Sequence, residues 1–257
     1  DATPDEVSAL FRTVIPTGIK HGTVTVLYRK ESFEVTTFRI DGEYRDNRHP
    51  ESVEFVRSLE QDLSRRDFTV NALAVDVSNG VVIDLHGGLQ DLSTRTLRAI
   101  GDAEHRFTED ALRILRACRF ACQLDFHIEA ATFAAMVKLA HNLSKVSGER
   151  VRTELEKILG ARVPSVGFES MRACGALAVL LPELQACLGI DQGGFHRLDV
   201  YRHSLAACDH APPGNLPLTW AALLHDVGKP AVKQEHGADR PTFQRHEAVS
   251  VNLDLAI

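Results

Sequence analysis

Long apolar runs are missing from this sequence. Hydrophobic residues make up 44% of the 257 but come in short stretches, none approaching the roughly 18–20 consecutive residues that span a bilayer. No segment has the basic start and apolar centre of a secretory signal, and the first residues, DATPDEVSALF, are acidic. Paired cysteines are missing as well. The five present, Cys118, Cys122, Cys174, Cys187 and Cys208, are odd in number and scattered, with no C-x-x-C. That argues against a disulfide framework or a zinc ribbon and for reduced thiols in a cytoplasmic protein. Positive charge is the third thing in short supply. Lys and Arg total 29 against 35 Asp and Glu, for a net charge of −6, so any nucleic-acid site has to be a local basic patch. Low-complexity tracts and internal repeats are absent too. What is there is an ordinary soluble composition, with chain enough for one large domain or two to three small ones.

Periodicity divides the chain into an α+β part and a helical part. Residues 4–13 (PDEVSALFRT) predict a helix with Pro at its start and acids in its first turn, and 15–22 predict a loop. TVTVLY (23–28) and SFEVTTFRI (32–40) alternate and are rich in β-branched residues, which predicts a hairpin around the intervening RKE. FTVNALAVDV (68–77) and VVIDL (81–85) predict two further strands around the turn SNG, and Gly87–Gly88 closes this part. From residue 107 on, every periodic segment is helical. TEDALRILRACRFACQL (108–124) predicts one helix with Thr108 as its N-cap. SGERVRTELEKIL predicts another, entered through Ser147, Arg150 and Glu154 as a capped, salt-bridged start; SVGFESMRACGALAVLL and LTWAALLHDVG (218–228) predict two more. The fold class is α+β: a head built on a small mixed or antiparallel sheet with helices, followed by an all-helical neck and body.

Three clusters carry chemistry. Arg65-Arg66-Asp67 is followed by Asn71. Two adjacent arginines cannot both bury, since each keeps its charge. They read either as a solvated loop pinned to a helix by Asp67, or as a guanidinium for phosphate oxygens with Asp67 and Asn71 taking ribose hydroxyls. The second cluster is Glu109, Asp110, Arg113, Arg116 and Arg119, spaced E-D-x-x-R-x-x-R-x-x-R. On one helix Asp110 is three and Glu109 four residues from Arg113, a carboxylate and a donor fork side by side. That pair suits the Watson–Crick edge of cytosine or adenine, each of which presents an amine beside an acceptor, while Arg116 and Arg119 continue toward phosphates. The competing reading is a charged helix face with ordinary one-turn pairs. The third is His203, His225-Asp226 and His246, a spacing of neutral imidazoles and a carboxylate that suits a divalent metal. Its competitors are a helix cap and surface histidines.

Six blocks in order, PTGIKHGTVTV, FEVTTFRIDGEY, RRDFTVNALA, DLHGGLQDL, RAIGDAEHRFTEDALRILRACRFACQL and SGERVRTELEKIL, resemble the class II polymerase-β-type nucleotidyltransferases. These are the bacterial CCA-adding tRNA nucleotidyltransferases and the bacterial poly(A) polymerases. The resemblance covers roughly residues 1–160, and the region around His203 and His225-Asp226 resembles an HD domain. It implies a nucleotidyltransferase head over 1–100, a helical neck with the nucleotide-selecting helix over 101–160, and a helical body with the start of an HD-like domain over 161–257. It implies further that Arg66 contacts the incoming triphosphate and Asp67 its ribose. Asp110 and Arg113 would select CTP or ATP, Glu109 would orient Arg113, and Arg116 and Arg119 would line the nucleotide site. Glu34 matches one of three active-site carboxylates. The reaction implied is attack of a tRNA 3′-hydroxyl on the nucleotide α-phosphate with release of pyrophosphate, assisted by two Mg²⁺ ions. A second divalent metal would sit at His203, His225 and Asp226.

One departure from the family pattern is plain. The Gly-rich block and the Asp-x-Asp pair that precede such sequences are not in these residues, and the chain stops inside the HD-like region. The expectation is therefore an interior stretch of a longer enzyme. Besides addition of CCA, or of CC or A alone, two activities compete: poly(A) synthesis, and metal-dependent phosphohydrolysis by the HD-like part.

Overall fold

The computed structural model describes residues 2–41, 53–193, 197–235 and 241–254. They form two compact units, Asp1–Asp110 and Ala111–Ile257, and the architecture is the α+β head and helical remainder that the patterning predicts. No helix of the described residues is long and apolar enough to cross a membrane.

The first unit begins with α1 (Pro4–Leu10), started by a capping box in which Thr3 accepts from the Glu6 N–H and Glu6 accepts from the Thr3 N–H. The helix is shorter than predicted. Phe11 is already extended, and residues expected as a loop form β1 (Val14–Gly18). Val14 and Ile15 pair with β2 (Thr23–Tyr28), and the register shifts between Ile15 and Gly18. Pro16 stands within that shift and has no N–H to give the ladder. β2 pairs with β3 (Glu31–Thr36) from Thr23↔Thr36 to Tyr28↔Glu31. Arg29 and Lys30 both take positive φ between these strands, the turn geometry that matches strand twist. Val24 and Val26 pack on Val7 of α1 with Val14 and Val35 around them. Period two therefore sends Glu34, opposite Thr25, to the other face of the sheet. The predicted strand 32–40 is broken at buried Thr37, and Arg39–Asp41 (β4) pairs instead with Val53–Phe55 (β5).

Next come α2 (Leu59–Ser64), capped by Ser58, and the hairpin of β6 (Leu73–Asp76) and β7 (Val81–Asp84). The strand expected from residue 68 starts only at Leu73, because Thr69–Asn71 form a single 3-10 turn. Asp67 explains it: its carboxylate accepts from the Phe68 N–H at 2.9 Å and from Asn71 Nδ2 at 3.0 Å, and such local bonds outcompete a ladder. α3 (Gly88–Ser93) and α4 (Ala103–Glu109) complete the unit.

The second unit is helical: α5 (Leu112–Leu124), α6 (Ala130–Leu139), α7 (Gly148–Leu159), α8 (Pro164–Cys174), α9 (Ala176–Leu180), α10 (Pro182–Ala186), α11 (Val200–Asp209), α12 (Leu216–Leu224), α13 (Lys229–Val232) and α14 (His246–Asp254). α5 packs on α7 and α8, and α11 on α8 and α12, burying Ile114, Leu115, Ile158, Phe168, Met171 and Tyr201. Each such side chain contributes about 1.5–3 kcal/mol of transfer free energy. The helix predicted over SVGFESMRACGALAVLL is two, divided where Gly175 takes a φ of 85°. Ser147 does precede α7, but its side chain makes no capping bond, and Glu154 pairs with Arg119 and Lys157. All five cysteines are free thiols.

Candidate functional site

The short helix α2 is what arranges the two arginines. Asp62, near its end, is three residues from Arg65 and four from Arg66, and its carboxylate meets both guanidiniums. Oδ1 accepts from Arg65 Nε at 3.0 Å and from its terminal nitrogen at 2.6 Å; Oδ2 accepts from Arg66 at 3.2 Å. The backbone N–H of Arg39 adds a bond to Oδ1 at 3.3 Å. Burial raises the proton affinity of Asp62, but the two arginines outweigh it and hold the carboxyl below its ordinary range. The residue that pins this loop is thus Asp62. Sequence reasoning gave that place to Asp67, although the three- and four-residue spacing was there to be read.

Arg66 also donates to the Asn71 carbonyl at 3.0 Å, while its side chain stays 41% exposed. Asp67 is buried and bound to Asn71 Nδ2. Arg66, Asp67 and Asn71 therefore lie together: a half-exposed guanidinium beside a carboxylate–amide pair. α3 supports them from behind. Asp91 accepts from Thr69 Oγ1 at 2.7 Å, and a Cβ on Gly88 would lie 2.4 Å from the Thr69 carbonyl oxygen. Only glycine allows that approach.

The helix predicted over 108–124 is interrupted. Thr108 is no N-cap; it lies in the last turn of α4, which stops at Glu109. Asp110 is extended, with φ −145° and ψ 104°, and α5 starts afresh at Leu112. Aspartate competes with helical backbone through its short polar side chain. The consequence is that Glu109 turns to its own helix, meeting Arg106 at 3.0 Å and His105 at 3.3 Å. Glu109 and Arg113 therefore do not share one helix, as the one-turn spacing predicts. Asp110 closes the first unit, and Arg113, buried, belongs to the second.

On α5, Arg116 is half-buried, with its guanidinium 5.4 Å from the Phe120 ring centroid. Arg119 is engaged inward. Its Nε donates to Glu154 of α7 at 2.6 Å, a terminal nitrogen donates to Gln123 at 3.0 Å, and the Phe120 ring lies 3.9 Å away. A buried guanidinium so committed fastens α5 to α7 rather than presenting a fork to a ligand. Glu34 is exposed on the sheet face that also carries the Thr17–Thr25 and Thr23–Thr36 hydroxyl pairs, each 3.0 Å apart. It offers one carboxylate. Among the described residues no group of three His, Cys, Asp or Glu donors forms around it. These residues alone do not make up a Mg²⁺ site.

In the second unit a donor group does form. His203 on α11 and His225 and Asp226 just after α12 place one ligand atom each within 4.8 Å of one another. His225 Nε2 lies 3.0 Å from Asp226 Oδ2, and the two imidazoles meet edge to face at 5.3 Å. His246 Nε2 reaches Asp226 Oδ1 at 3.3 Å. Lys229, which sequence reasoning passed over, lies 2.7 Å from Asp226 Oδ2 and donates to Gln192 at 2.7 Å. Burial pushes the Asp226 carboxyl up, but His225 and Lys229 outweigh it and hold it well below its ordinary range. The hydrogen bond to Asp226 raises His225, against the opposing effect of burial. Two imidazoles and a carboxylate suit a divalent transition metal.

Two family patterns match the chain: a poly A polymerase head domain over residues 1–98, and a probable RNA- and SrmB-binding site of polymerase A over 125–188. The chain is 56% identical over 158 residues to a CCA-adding enzyme of Leuconostoc mesenteroides, a match covering 62% of this chain and 39% of that one. It is 54% identical over 173 residues to one of Streptococcus pyogenes, covering 67% and 43%. Among solved structures, the Bacillus stearothermophilus CCA-adding enzyme in complex with CTP superposes with a TM-score of 0.70 at 32% identity, over 99% of this chain and 58% of that chain. A tRNA nucleotidyltransferase complexed with a primer tRNA and an incoming ATP analog gives 0.60 at 26% identity, over 86% and 62%. The chain spans about two fifths of the length of the curated relatives it matches.

Proposed function

The chain belongs to the family of class II CCA-adding enzymes and bacterial poly(A) polymerases, and from that premise we propose that the protein is a template-independent tRNA nucleotidyltransferase. It joins CMP and AMP, taken from CTP and ATP, to the tRNA 3′ end and releases pyrophosphate, in the cytoplasm. The observation that carries this reading is the convergence of Arg66, Asp67 and Asn71 behind an Asp62 counter-charge. It combines donors for a triphosphate with acceptors for a ribose in one loop.

In this reading Arg66 binds the triphosphate, and its planar fork spreads over more than one phosphate oxygen. Asp67 and Asn71 take the ribose hydroxyls and fix the sugar. Asp110 and Arg113 read the base edge, Glu109 and Arg116 support them, and Glu34 contributes a carboxylate to the divalent-cation chemistry, with Mg²⁺ as the ion. The residues of this chain bind, orient and select the nucleotide. Residues 101–160 act as a neck between the head and the body over 161–257. In that body His203, His225 and Asp226 hold a second divalent metal, as in an HD domain.

The test uses the full-length protein with a tRNA lacking its 3′ end and labelled CTP or ATP, and reads product length. Addition that stops at three nucleotides supports CCA addition, and a stop after CC or a single A identifies the partial activities. Long A-tails support poly(A) synthesis, the second reading, which the match of residues 1–98 to a poly A polymerase head favours. No incorporation together with metal-dependent phosphatase activity supports hydrolysis at the His203–His225–Asp226 group.

A further inference from the structure

A net charge of −6 confines any nucleic-acid surface to a local patch, and the tip of the β2–β3 hairpin carries one. Past the end of α1 the chain runs back along β2, where the Thr13 carbonyl accepts from the Leu27 N–H at 3.0 Å. Phe11 and Arg12 thereby come alongside Tyr28, and the Phe11 and Tyr28 rings meet edge to face with centroids 6.4 Å apart. Phe33 is the diagonal neighbour of Tyr28 on the same face of the sheet. The rings of Phe11, Tyr28 and Phe33 stay 39%, 48% and 47% exposed. Beside them stand Arg12, Arg29 and Lys30, all exposed. The Arg29 guanidinium lies 5.2 Å from the Tyr28 ring centroid, and none of the three cations forms an ion pair with another described residue. Glu31, opposite Tyr28, offsets one of their charges. The turn itself is strained. Arg29 has a φ of 49° and Lys30 of 69°, a left-handed conformation for which Asn-Gly is the preferred pair. Strain of this kind persists where a site uses the side chains it presents.

We infer that this hairpin tip docks an unpaired stretch of RNA, with bases stacked on Tyr28, Phe11 and Phe33 and phosphates held by Arg12, Arg29 and Lys30. Exposed rings interleaved with cations suit a single strand, because every base has a face to stack and every link a phosphate to neutralise. A protein partner could also cover the rings, but three cations against one acid favour a polyanion. The choice of RNA among polyanions rests on the nucleotidyltransferase reading. Alternation puts Tyr28 and Phe33 on the sheet face that packs on α1 and Glu34 on the other. The RNA held here is therefore a stretch other than the 3′ end that receives the nucleotide.

The test measures binding of fluorescein-labelled oligo(C) RNA and of a tRNA lacking its 3′ end to full-length protein, by anisotropy over a range of salt concentrations. Tyr28→Ala is expected to raise Kd by about fivefold to a hundredfold, the range for losing one base stack, and Tyr28→Phe to keep the wild-type value. Arg29→Asn combined with Lys30→Gly installs the preferred turn pair. It is expected to raise the thermal midpoint while weakening RNA binding, and to lower the slope of log Kd against log salt by about 0.7 for each cation removed. This second variant keeps the inference testable should Tyr28→Ala not fold. Wild-type affinity and salt slope in both variants overturn the inference. So does a change in sedimentation from dimer to monomer with RNA affinity unaltered, which would make the patch an interface between two copies of the chain. Wild-type protein that adds nucleotides beside variants that bind RNA normally overturns the inference alone. Wild-type protein that adds none, yet loses RNA affinity through these substitutions, overturns the nucleotidyltransferase reading and leaves the RNA surface standing.

Discussion

Asp62 holds two adjacent guanidiniums on one buried carboxylate, and removing its charge leaves Arg65 and Arg66 facing each other. Asp62→Asn is expected to lose about 1–3 kcal/mol of stability at pH 7 in urea unfolding, the range for charge-assisted bonds to partly exposed partners. The pH dependence follows from the depressed carboxyl. A group whose folded value lies below its unfolded value of about 3.9 contributes fully above that value and loses its contribution as pH falls through the folded value. The gap between wild type and Asp62→Asn should therefore narrow below about pH 4, and a gap equal at pH 7 and pH 3 refutes the ion pair. Arg113 is the residue whose change should alter base choice. Arg113→Ala is expected to remove about 1–3 kcal/mol of discrimination between CTP and GTP, the worth of one bidentate base contact, as read from kcat/KM ratios. An unchanged ratio sinks the role.

At the scale of the element, the elements sequence reasoning places best are those whose cause is local. The β2–β3 hairpin is legible because alternation and β-branched residues act within each strand, and Val24 and Val26 bury as the period demands. The break between α4 and α5 was not legible. The arginine spacing runs through it unbroken, and nothing in a period of three to four reports that Asp110 leaves the helix. The sequence likewise displays the chemistry of Asp67 but not its capacity to wind Thr69–Asn71 into a turn. The candidate residues Arg66, Asp67 and Asn71 could be named because they lie within six positions of one another. The residues that hold them, Asp91 and Gly88, come from a different helix. Gly88→Ala tests that support. Its Cβ would stand 2.4 Å from the Thr69 carbonyl oxygen, so α3 or the 3-10 turn has to shift, at a cost of about 1–3 kcal/mol. Lower stability accompanied by a raised KM for both CTP and ATP is expected. A stability loss with unaltered KM would mean that α3 does not set the position of the nucleotide loop.

Across the whole molecule, each of the two units has its own polar cluster built on a carboxylate. In the first unit Asp62 is answered by arginines, which stay charged and keep their donors. In the second, Asp226 is answered by His203, His225 and His246 as well as by Lys229. Imidazoles have lone pairs to offer, so this second cluster suits a cation where the first suits an anion. The two chemistries should then separate by mutation. Asp226→Asn removes the only carboxylate in the donor group of His203, His225 and Asp226. It is expected to weaken binding of Co²⁺ or Mn²⁺ by tenfold or more, judged against the roughly 10–100-fold lost on removing even an outer partner of a metal ligand. Binding is measured by calorimetry or by the cobalt absorption band. Nucleotide addition to tRNA should continue at the wild-type rate, because the triphosphate, ribose and base contacts all lie elsewhere in the sequence. His225→Ala should behave in the same way and also abolish any phosphohydrolase activity. Metal binding that survives both substitutions would refute the site. Addition that collapses in a folded Asp226→Asn protein would mean that the helical body takes part in the polymerising reaction itself.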